Sequence, residues 1–577
     1  MTPTGPAPRD AAPPPPNRRR WPVASWLPGY KKTELRGDVR GALIAWALIV
    51  PESVAYAHIA GVPPQNAFYA APLALIAYVL LGSSRYLIVG ATSAAAALSG
   101  ATVVGLTGGD PAHAVALSSA LALLTGVLLL VASFARLGFL ADFVAEPALV
   151  GFLFGMALTI IMGQFGKLFG VPAGHGDFFE NMIRVLSQAD AWSWTTVAVG
   201  VAALVALLLL GRLAPRLPAS LIVLALGIAV CALWNLGDHG VAVVGDVPAA
   251  LPTLAWPDVS PDEWLTLLGG ACGLALVAFV ESYSIAAGLS RRHGKGIDAG
   301  REMASLGVAN LAAGLVRGFA VSGSASRSAA SEAAGAASPM TSVIAATLVL
   351  LTAAFLTPVF TDLPEPVLAA IVIVAVRRFL RVGELRRYWS HDRAAFAVAT
   401  AALLGVLIFD LLPGLLLAVA LSLALFIGSA SRPHLSVLGH RPTGHWGDIA
   451  EHPDAAPAPG LLVLRPEGAL FFGNTDRVKQ RTLQRAVEHD PRPDAVILDL
   501  GASYRLDLTV LDALEALRQD LARHAIALHL ARVRAHSRRT LDAHPLGPGL
   551  GPGHVHTSVE GAADAAATES GPPPRSR

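Results

Sequence analysis

Between Gly41 and Ala430 the chain is an almost continuous series of apolar segments separated by short polar connections. Backbone N–H and C=O groups cannot be left unpaired in hydrocarbon, so a series of this kind folds as membrane helices. The segments run approximately over 41–60, 67–82, 90–106, 112–133, 138–161, 193–211, 219–236, 264–289, 302–318, 324–337, 340–358, 364–380, 392–409 and 411–429, fourteen in all. Two of them, 90–106 and 324–337, are too short or too rich in Gly, Ser and Ala to cross about 30 Å of lipid as straight helices. They are expected to be broken helices. Composition agrees with lipid as the main solvent, since 54% of residues are hydrophobic and only 15% charged, against about 25% charged in soluble domains. Mean hydropathy is +0.55. The net charge, 43 − 41 = +2, leaves no nucleic-acid footprint.

Charge in the connections orients the series, because cytoplasmic loops collect Lys and Arg. With the amino terminus inside, the loops after even-numbered segments are the basic ones. They carry Arg85, Arg136, Arg212 with Arg216, the RRHGK run at 291–295, and Arg377, Arg378, Arg381, Arg386 and Arg387. The opposite loops carry Asp110, then four Asp and a Glu over 237–263, then Asp362 and Glu365; Lys167 and Arg184 dilute the pattern, and the connection after the tenth segment is uncharged. Both termini are therefore expected in the cytoplasm of a cell membrane.

The remaining organisation follows from composition shifts. Residues 1–35, with Pro13 to Pro16 and Arg18 to Arg20, read as a disordered arm and not a signal peptide, since the first apolar run leads into further spans. The membrane domain is expected over 36–431, a polar linker over 432–460, a compact α/β domain over 461–545 and a flexible tail over 546–577. In the α/β domain strands are expected at 461–465, 495–500 and 525–531, and helices at 474–489 and 509–523. Its clustered acids, Asp476, Asp499 and Asp507, read as helix caps or strand ends. No metal spacing, oriented nucleophile or phosphate loop is legible there, so the domain is expected to regulate, without cofactor or metal. Cys231 and Cys272 read as small core hydrophobes.

Ionisable residues inside the membrane part are costly, and they carry the functional signal. Glu52 lies in VPESVAYA beside Pro51, and a carboxyl buried there is a candidate proton carrier, or else a partner for backbone groups that the proline frees. Glu281, in VAFVESYSIA, is a second candidate coupling-ion site, for a proton or sodium, or a structural partner. The stretch VSGSASRSAASEAAG at 321–335 could be a small-residue helix interface, but Arg327 at membrane depth asks for a cavity, a counterion or an anionic substrate. VGATSAAAALSG at 89–100 has the same texture seven spans earlier. Two matching interrupted segments point to inverted repeats, with one anion held between two half-helix amino termini.

These residues resemble the sulfate permease (SulP, or SLC26) family of anion transporters with a carboxy-terminal STAS domain. The resemblance rests on VPESVAYAHIAGVPPQNAFYAAPLALIAYVLLGSSRYLIVGATSAAAAL at 50–98, on ESYSIAAGLSRRHGKGIDAGREMASLGVANLAAGLVRGFAVSGSASRSA at 281–329, and on LFFGNTDRVKQRTL with VILDLGASYRLDLTVLDAL in the soluble domain. It implies a helical membrane protein of fourteen spans in two inverted seven-span repeats, divided into core and gate, dimeric, and moving its core as an elevator. Carried over, Ser326, Arg327 and Ser324 on the tenth span and Ala91, Thr92, Ser93 and Ala94 on the third would cradle the anion. A glutamate at 52, where many members have glutamine, points to proton coupling and away from chloride exchange. Glu332 stands where the pattern often has Asn, and Val510 replaces a Gly after the signature at 507–509, which argues against phosphoregulation at Thr509. Of the other classes, a serine hydrolase built on 323–326 lacks a histidine base in a late span. A nucleobase permease fits poorly with Arg327, and a channel or anion sensor is separated only by flux measurements. The expected partners are a small anion, H+ or Na+, the lipid bilayer and a second copy of the chain.

Overall fold

The computed structural model describes residues 23–138, 145–171, 178–214, 217–245, 249–294, 296–409 and 411–569. The first 22 residues of the expected arm, the last eight of the expected tail, the start of the fifth apolar segment, Arg216 and Lys295 lie outside the described residues. The chain divides into two compact units, one ending at Ser422 and one beginning at Leu423.

The first half of the membrane unit runs α1 (Leu35–Ala60), α2 (Pro64–Leu81), β1 (Val89–Gly90), α3 (Ser93–Val103), α4 (Pro111–Phe134), α5 (Glu146–Phe169), α6 (Phe178–Ser187), α7 (Trp194–Leu213) and α8 (Ala219–Trp234). The second half repeats the order with α9 (Pro261–Arg292), α10 (Ala299–Gly314), β2 (Ser322–Gly323), α11 (Ala325–Ala333), α12 (Met340–Leu351), α13 (Glu365–Val376), α14 (Val382–His391), α15 (Arg393–Phe409) and α16 (Leu411–Ala430). Each of the fourteen apolar segments contains a helix. Seven of the described helices are long and apolar enough to cross a membrane on length and composition alone. Two further helices, α6 and α14, were not expected: each follows the fifth apolar helix of its half, and each mixes apolar and charged residues, as in FFENMIRVLS and VGELRRYWSH. Their one-sided patterning suits a helix lying along a surface, which a search for long apolar runs passes over.

Helices α1 to α4 pack with α9 to α12, and α5, α7 and α8 pack with α13 and α15. Tight backbone approaches hold the first group: a Cβ at Gly126 would lie 2.7 Å from the Gly307 carbonyl oxygen, so glycine lets α4 and α10 touch. Pro51 sits within α1, which continues through it, leaving the carbonyl of Ala47 without its helical donor. Gly61, at φ +72°, ends the helix in the left-handed conformation.

Residues 23–35 of the expected arm are ordered. Ala24 and the Trp26 indole donate to the carbonyls of Leu80 and Val79, at 2.7 and 3.1 Å, and Arg301 donates to Ser25 Oγ at 2.9 Å. The last carbonyls of a helix have no internal partner, and the arm supplies donors for those of α2. Of the two cysteines, Cys231 is buried as expected but Cys272 is exposed on α9.

The second unit is a five-stranded mixed sheet of order β4-β3-β5-β6-β7. Its strands are β3 (Leu435–His440), β4 (Trp446–Asp448), β5 (Leu461–Pro466), β6 (Ala495–Asp499) and β7 (Ala527–Ala531). Its helices are α17 (Thr475–Glu488), α18 (Leu508–Ala522), α19 (Ala535–Ala543), α20 (Leu546–Leu550) and α21 (Val559–Glu569). The strands and helices expected between 461 and 531 are all present, but both domain edges differ. The expected linker holds β3 and β4, with β3 antiparallel to β5 through Leu438 and Val463. The expected tail holds α20 and α21. β6 is buried along its whole length, as strands covered on both faces are. Successive side chains of a strand point to opposite faces, so one layer of helices cannot cover them all. Val496 and Leu498 pack under α17, α18 and α20, while Ala495 and Ile497 need a second cover, which Val559, Ala562, Ala563 and Ala566 of α21 provide.

Candidate anion site

β1 and β2 are two residues each and pair antiparallel, Val89 with Gly323 and Gly90 with Ser322. Because the strands run in opposite directions, the helices that follow them leave in opposite directions and their amino termini face each other. Each helix begins with a hydroxyl cap: Thr92 Oγ1 accepts from Ala95 N at 3.3 Å, and Ser324 Oγ accepts from Arg327 N at 3.4 Å. The first N–H groups of a helix have no internal acceptor, so those of Ser93 and Ala94 on α3 and of Ala325 and Ser326 on α11 point their partial positive charge into the gap.

Neighbouring helices hold this ladder in place. Asn310 of α10 clamps the chain before β2, accepting from Val321 N at 2.9 Å and donating to its carbonyl at 3.0 Å. Ser282 Oγ accepts from Gly323 N at 2.7 Å, and Ser328 Oγ accepts from Ile88 N at 2.9 Å. Sequence reasoning missed these three. A lone Asn in the apolar run of α10 was the available signal. The GSSR stretch at 82–85, just after α2, has a structural role, since the Glu302 carboxylate, fully buried, accepts from Tyr78 Oη at 2.7 Å and from Ser83 N and Ser84 N at 2.8 and 2.9 Å.

Arg327 is 1% exposed and Glu52 8%. Nη2 of Arg327 donates to the Ala91 carbonyl, which ties α11 to the start of α3. Its Nε lies 3.5 Å from Glu52 Oε2, near enough for charge attraction but with no hydrogen bond formed. Among the described residues, Nε and Nη1 of Arg327, Oε2 of Glu52, and the hydroxyls of Ser53 and Ser93 are buried without a hydrogen-bond partner. Buried polar atoms are nearly always paired, and a cluster of open ones marks a place for a ligand. Two open guanidinium nitrogens and four open backbone donors can hold an anion, with Glu52 as the resident negative charge.

Glu281 joins the same network from behind: its Oε2 accepts from Ser322 Oγ at 3.3 Å, and that hydroxyl also meets Thr92 Oγ1 at 2.8 Å. Ser326 Oγ pairs with Ser324 Oγ at 3.1 Å and accepts from Arg378 Nη1 at 2.9 Å. Arg378 had been counted only as a charge of a basic loop, yet it sits in the turn after α13 and touches the start of α11. Glu332 lies apart from the gap, bonded to His293 at 2.7 Å. A cleft of about 560 Å³ reaches Glu52 between α1, α7, α8 and α13, and Arg212 and Arg377 line it.

Comparison with known proteins bears on the chain as a whole. The sulfate permease family model matches residues 35–402 and the STAS domain model residues 452–562. A probable sulfate transporter of Mycobacterium tuberculosis is 34% identical over 550 residues, covering 94% of this chain and 98% of that protein. The murine Solute Carrier 26 family member A9 anion transporter, in its inward-facing state, superposes with a TM-score of 0.87 at 22% identity, over 95% of this chain and 94% of that one. The transmembrane domain of BicA, a cyanobacterial bicarbonate transporter, superposes with a TM-score of 0.60 at 18% identity, covering 67% of this chain and 98% of that one. With its paired half-helices, its apolar helical bundle and its soluble α/β unit, the chain belongs to the sulfate permease family of membrane anion transporters and carries a STAS domain.

Proposed function

We propose that the protein is a proton-coupled secondary transporter of a small oxyanion or carboxylate, with sulfate, bicarbonate and dicarboxylates as the substrate class. The observation that carries this reading is the open pair Glu52–Arg327 between two opposed helix amino termini. While Glu52 is ionised, it occupies the field of Arg327 and repels an incoming anion. When it is protonated, that repulsion is gone and Nε and Nη1 are free to bind the substrate oxygens. Anion and proton then share one cavity at low net charge, since a lone charge buried in such a place is costly. The substrate-contacting groups are Arg327, Ser326, Ser93 and the backbone of Ala91 to Ala94, with Thr92 and Ser324 fixing the helix starts through their caps.

In this reading α1 to α4 with α9 to α12 form the core that carries the site, moving as an elevator against a gate of α5, α7, α8, α13, α15 and α16, in fourteen spans. Arg212 and Arg377 draw the anion toward the cleft from the cytoplasmic side of a cell membrane, with both termini on that side and two copies forming a dimer. The sulfate and bicarbonate named for the relatives support the substrate class. A second reading, sodium coupling, has one observation in its favour: Glu281, Ser322 and Thr92 gather oxygen atoms of the kind sodium binds.

The test is flux into proteoliposomes, following labelled sulfate, bicarbonate and a four-carbon dicarboxylate under imposed proton or sodium gradients. Accumulation driven by external acid without sodium is the expected result. Accumulation that follows sodium and ignores pH would replace the proton with sodium. Specific anion binding with no flux of any of the three would make the protein a sensor.

A further inference from the structure

The geometry points to a transition-metal site, of the kind zinc occupies, in the soluble unit, formed by His529, His554 and Glu569 with His556 behind them. β7 alternates Leu528 and Leu530 toward one core and Ala527 and Ala531 toward the other. His529 therefore faces α21, at a position where the pattern asks for an apolar residue, and it is fully buried. A buried imidazole needs partners for both ring nitrogens. The segment after α20 supplies part of the answer by running beside β7: Leu530 N donates to the His554 carbonyl and His556 N to the Leu530 carbonyl, each at 2.8 Å. This alignment brings the rings of His554 and His556 to 4.3 and 5.5 Å from that of His529, centroid to centroid, while Glu569, the last residue of α21, closes the group.

The separations suit a shared ion. Glu569 Oε2 lies 3.7 Å from His529 Nε2 and 3.4 Å from His554 Nε2. Two ligand atoms about 2.1 Å from a tetrahedral ion stand about 3.4 Å apart. All three ligand atoms lie within 4.8 Å of one another. His529 Nδ1 is 3.2 Å from His556 Nε2. A hydrogen bond donated by Nδ1 there leaves Nε2 with its lone pair free, the arrangement by which a neighbouring acceptor sets the tautomer of a metal-binding histidine. Among the described residues, His529 Nε2 and His554 Nδ1 are buried with no hydrogen-bond partner. Two imidazoles and one carboxylate, with a fourth position left to water, form a donor set suited to zinc. A bound ion would pin the end of α21 and the 554–556 segment to β7, and so hold the helix that covers the second face of the sheet.

The test uses full-length protein purified in detergent without a polyhistidine tag, stripped with a chelator, then titrated with Zn2+ against a competing indicator and with Co2+ followed by its visible absorption. One equivalent of Zn2+ and a tetrahedral Co2+ spectrum are expected. Glu569 is exposed and His554 only half-buried, so E569Q and H554Q should keep the fold, and each should weaken Zn2+ binding by about 10- to 100-fold; H556Q should act in the same direction through His529. H536Q, at an exposed histidine of α19, should leave binding unchanged. Removing Zn2+ should also speed hydrogen exchange over 559–569. The absence of stoichiometric Zn2+ binding in the wild type, or equal affinity in E569Q, H554Q and H536Q, would overturn the site and leave a metal-free cluster of imidazoles.

Discussion

Two buried carboxylates, one in each unit, meet arginine in opposite ways. Asp499, at the end of β6, accepts from Arg532 Nε at 2.5 Å and from its Nη2, from Arg465 Nε at 2.8 Å and from Gly501 N at 3.0 Å. Burial would raise its pKa, but the hydrogen bonds from Arg532 and Arg465 outweigh burial and hold it below the usual carboxylate range. Glu52 has one arginine at 3.5 Å and an oxygen with no hydrogen bond. A carboxylate whose acceptor sites are filled is a structural joint. One left open beside an open guanidinium is a site at which a ligand can compete.

Removing Arg327 tests the contrast most severely. R327A takes away the fully buried cation at the gap, at a cost of about 3–5 kcal/mol in anion binding, or roughly 100-fold or more. Uptake into proteoliposomes should fall to background while the protein stays monodisperse. Wild-type flux from R327A would place the site elsewhere. D499A should leave anion binding intact and destabilise the soluble unit by about 3 kcal/mol, read as a lower melting temperature of that unit. The sign with pH follows from a depressed folded pKa: the contribution of Asp499 is complete above about pH 4, the unfolded carboxylate range, and is lost as pH falls through the folded value. A loss of stability centred near neutral pH would point to another group.

Smaller effects sharpen the comparison further. E52Q imitates the protonated carboxyl, so uptake should vary by less than about twofold between pH 5 and 8 and should no longer accumulate substrate on a proton gradient. Full pH dependence in E52Q would make Glu52 structural and move attention to Glu281. At Gly90 a Cβ would lie 3.0 Å from Arg327 Nη1. G90A should displace the guanidinium by a few tenths of an ångström and weaken anion binding several-fold, about 1 kcal/mol. The smallest change is expected from truncation. Cutting after Arg432, ahead of β3, should leave the anion affinity within about twofold of wild type, measured by calorimetry on the truncated protein; loss of binding would bring the STAS domain into the site.

Much of the candidate site was legible because charge in a lipid-embedded helix announces itself. Glu52, Glu281 and Arg327 stood out on that ground, and the two Gly-, Ser- and Ala-rich segments betrayed the broken helices α3 and α11. Arg378 was not legible, since its place in a cluster of five arginines gave it the appearance of a loop charge. Thr92 and Ser324 were read as substrate contacts, and their hydroxyls prove to be engaged as helix caps. The domain edges failed for a different reason. β3, β4 and α21 are short, carry many polar or small residues, and have little signal until they are placed on a sheet whose second face needs a cover.

What the sequence by itself determined is the solvent of each region and the kind of element formed there. Hydrocarbon-length apolar runs, breaker residues and isolated charges are local properties, and their energetic consequences do not wait on the rest of the fold. Only the tertiary structure decided which of these elements meet. The pairing of β1 with β2 makes two distant helix starts face each other, Arg327 reaches Ala91 and Glu52 on other helices, and His529 finds His554 and Glu569 across a sheet edge. Such contacts depend on how chain direction, helix packing and strand register combine in space, and no spacing along the chain encodes that combination.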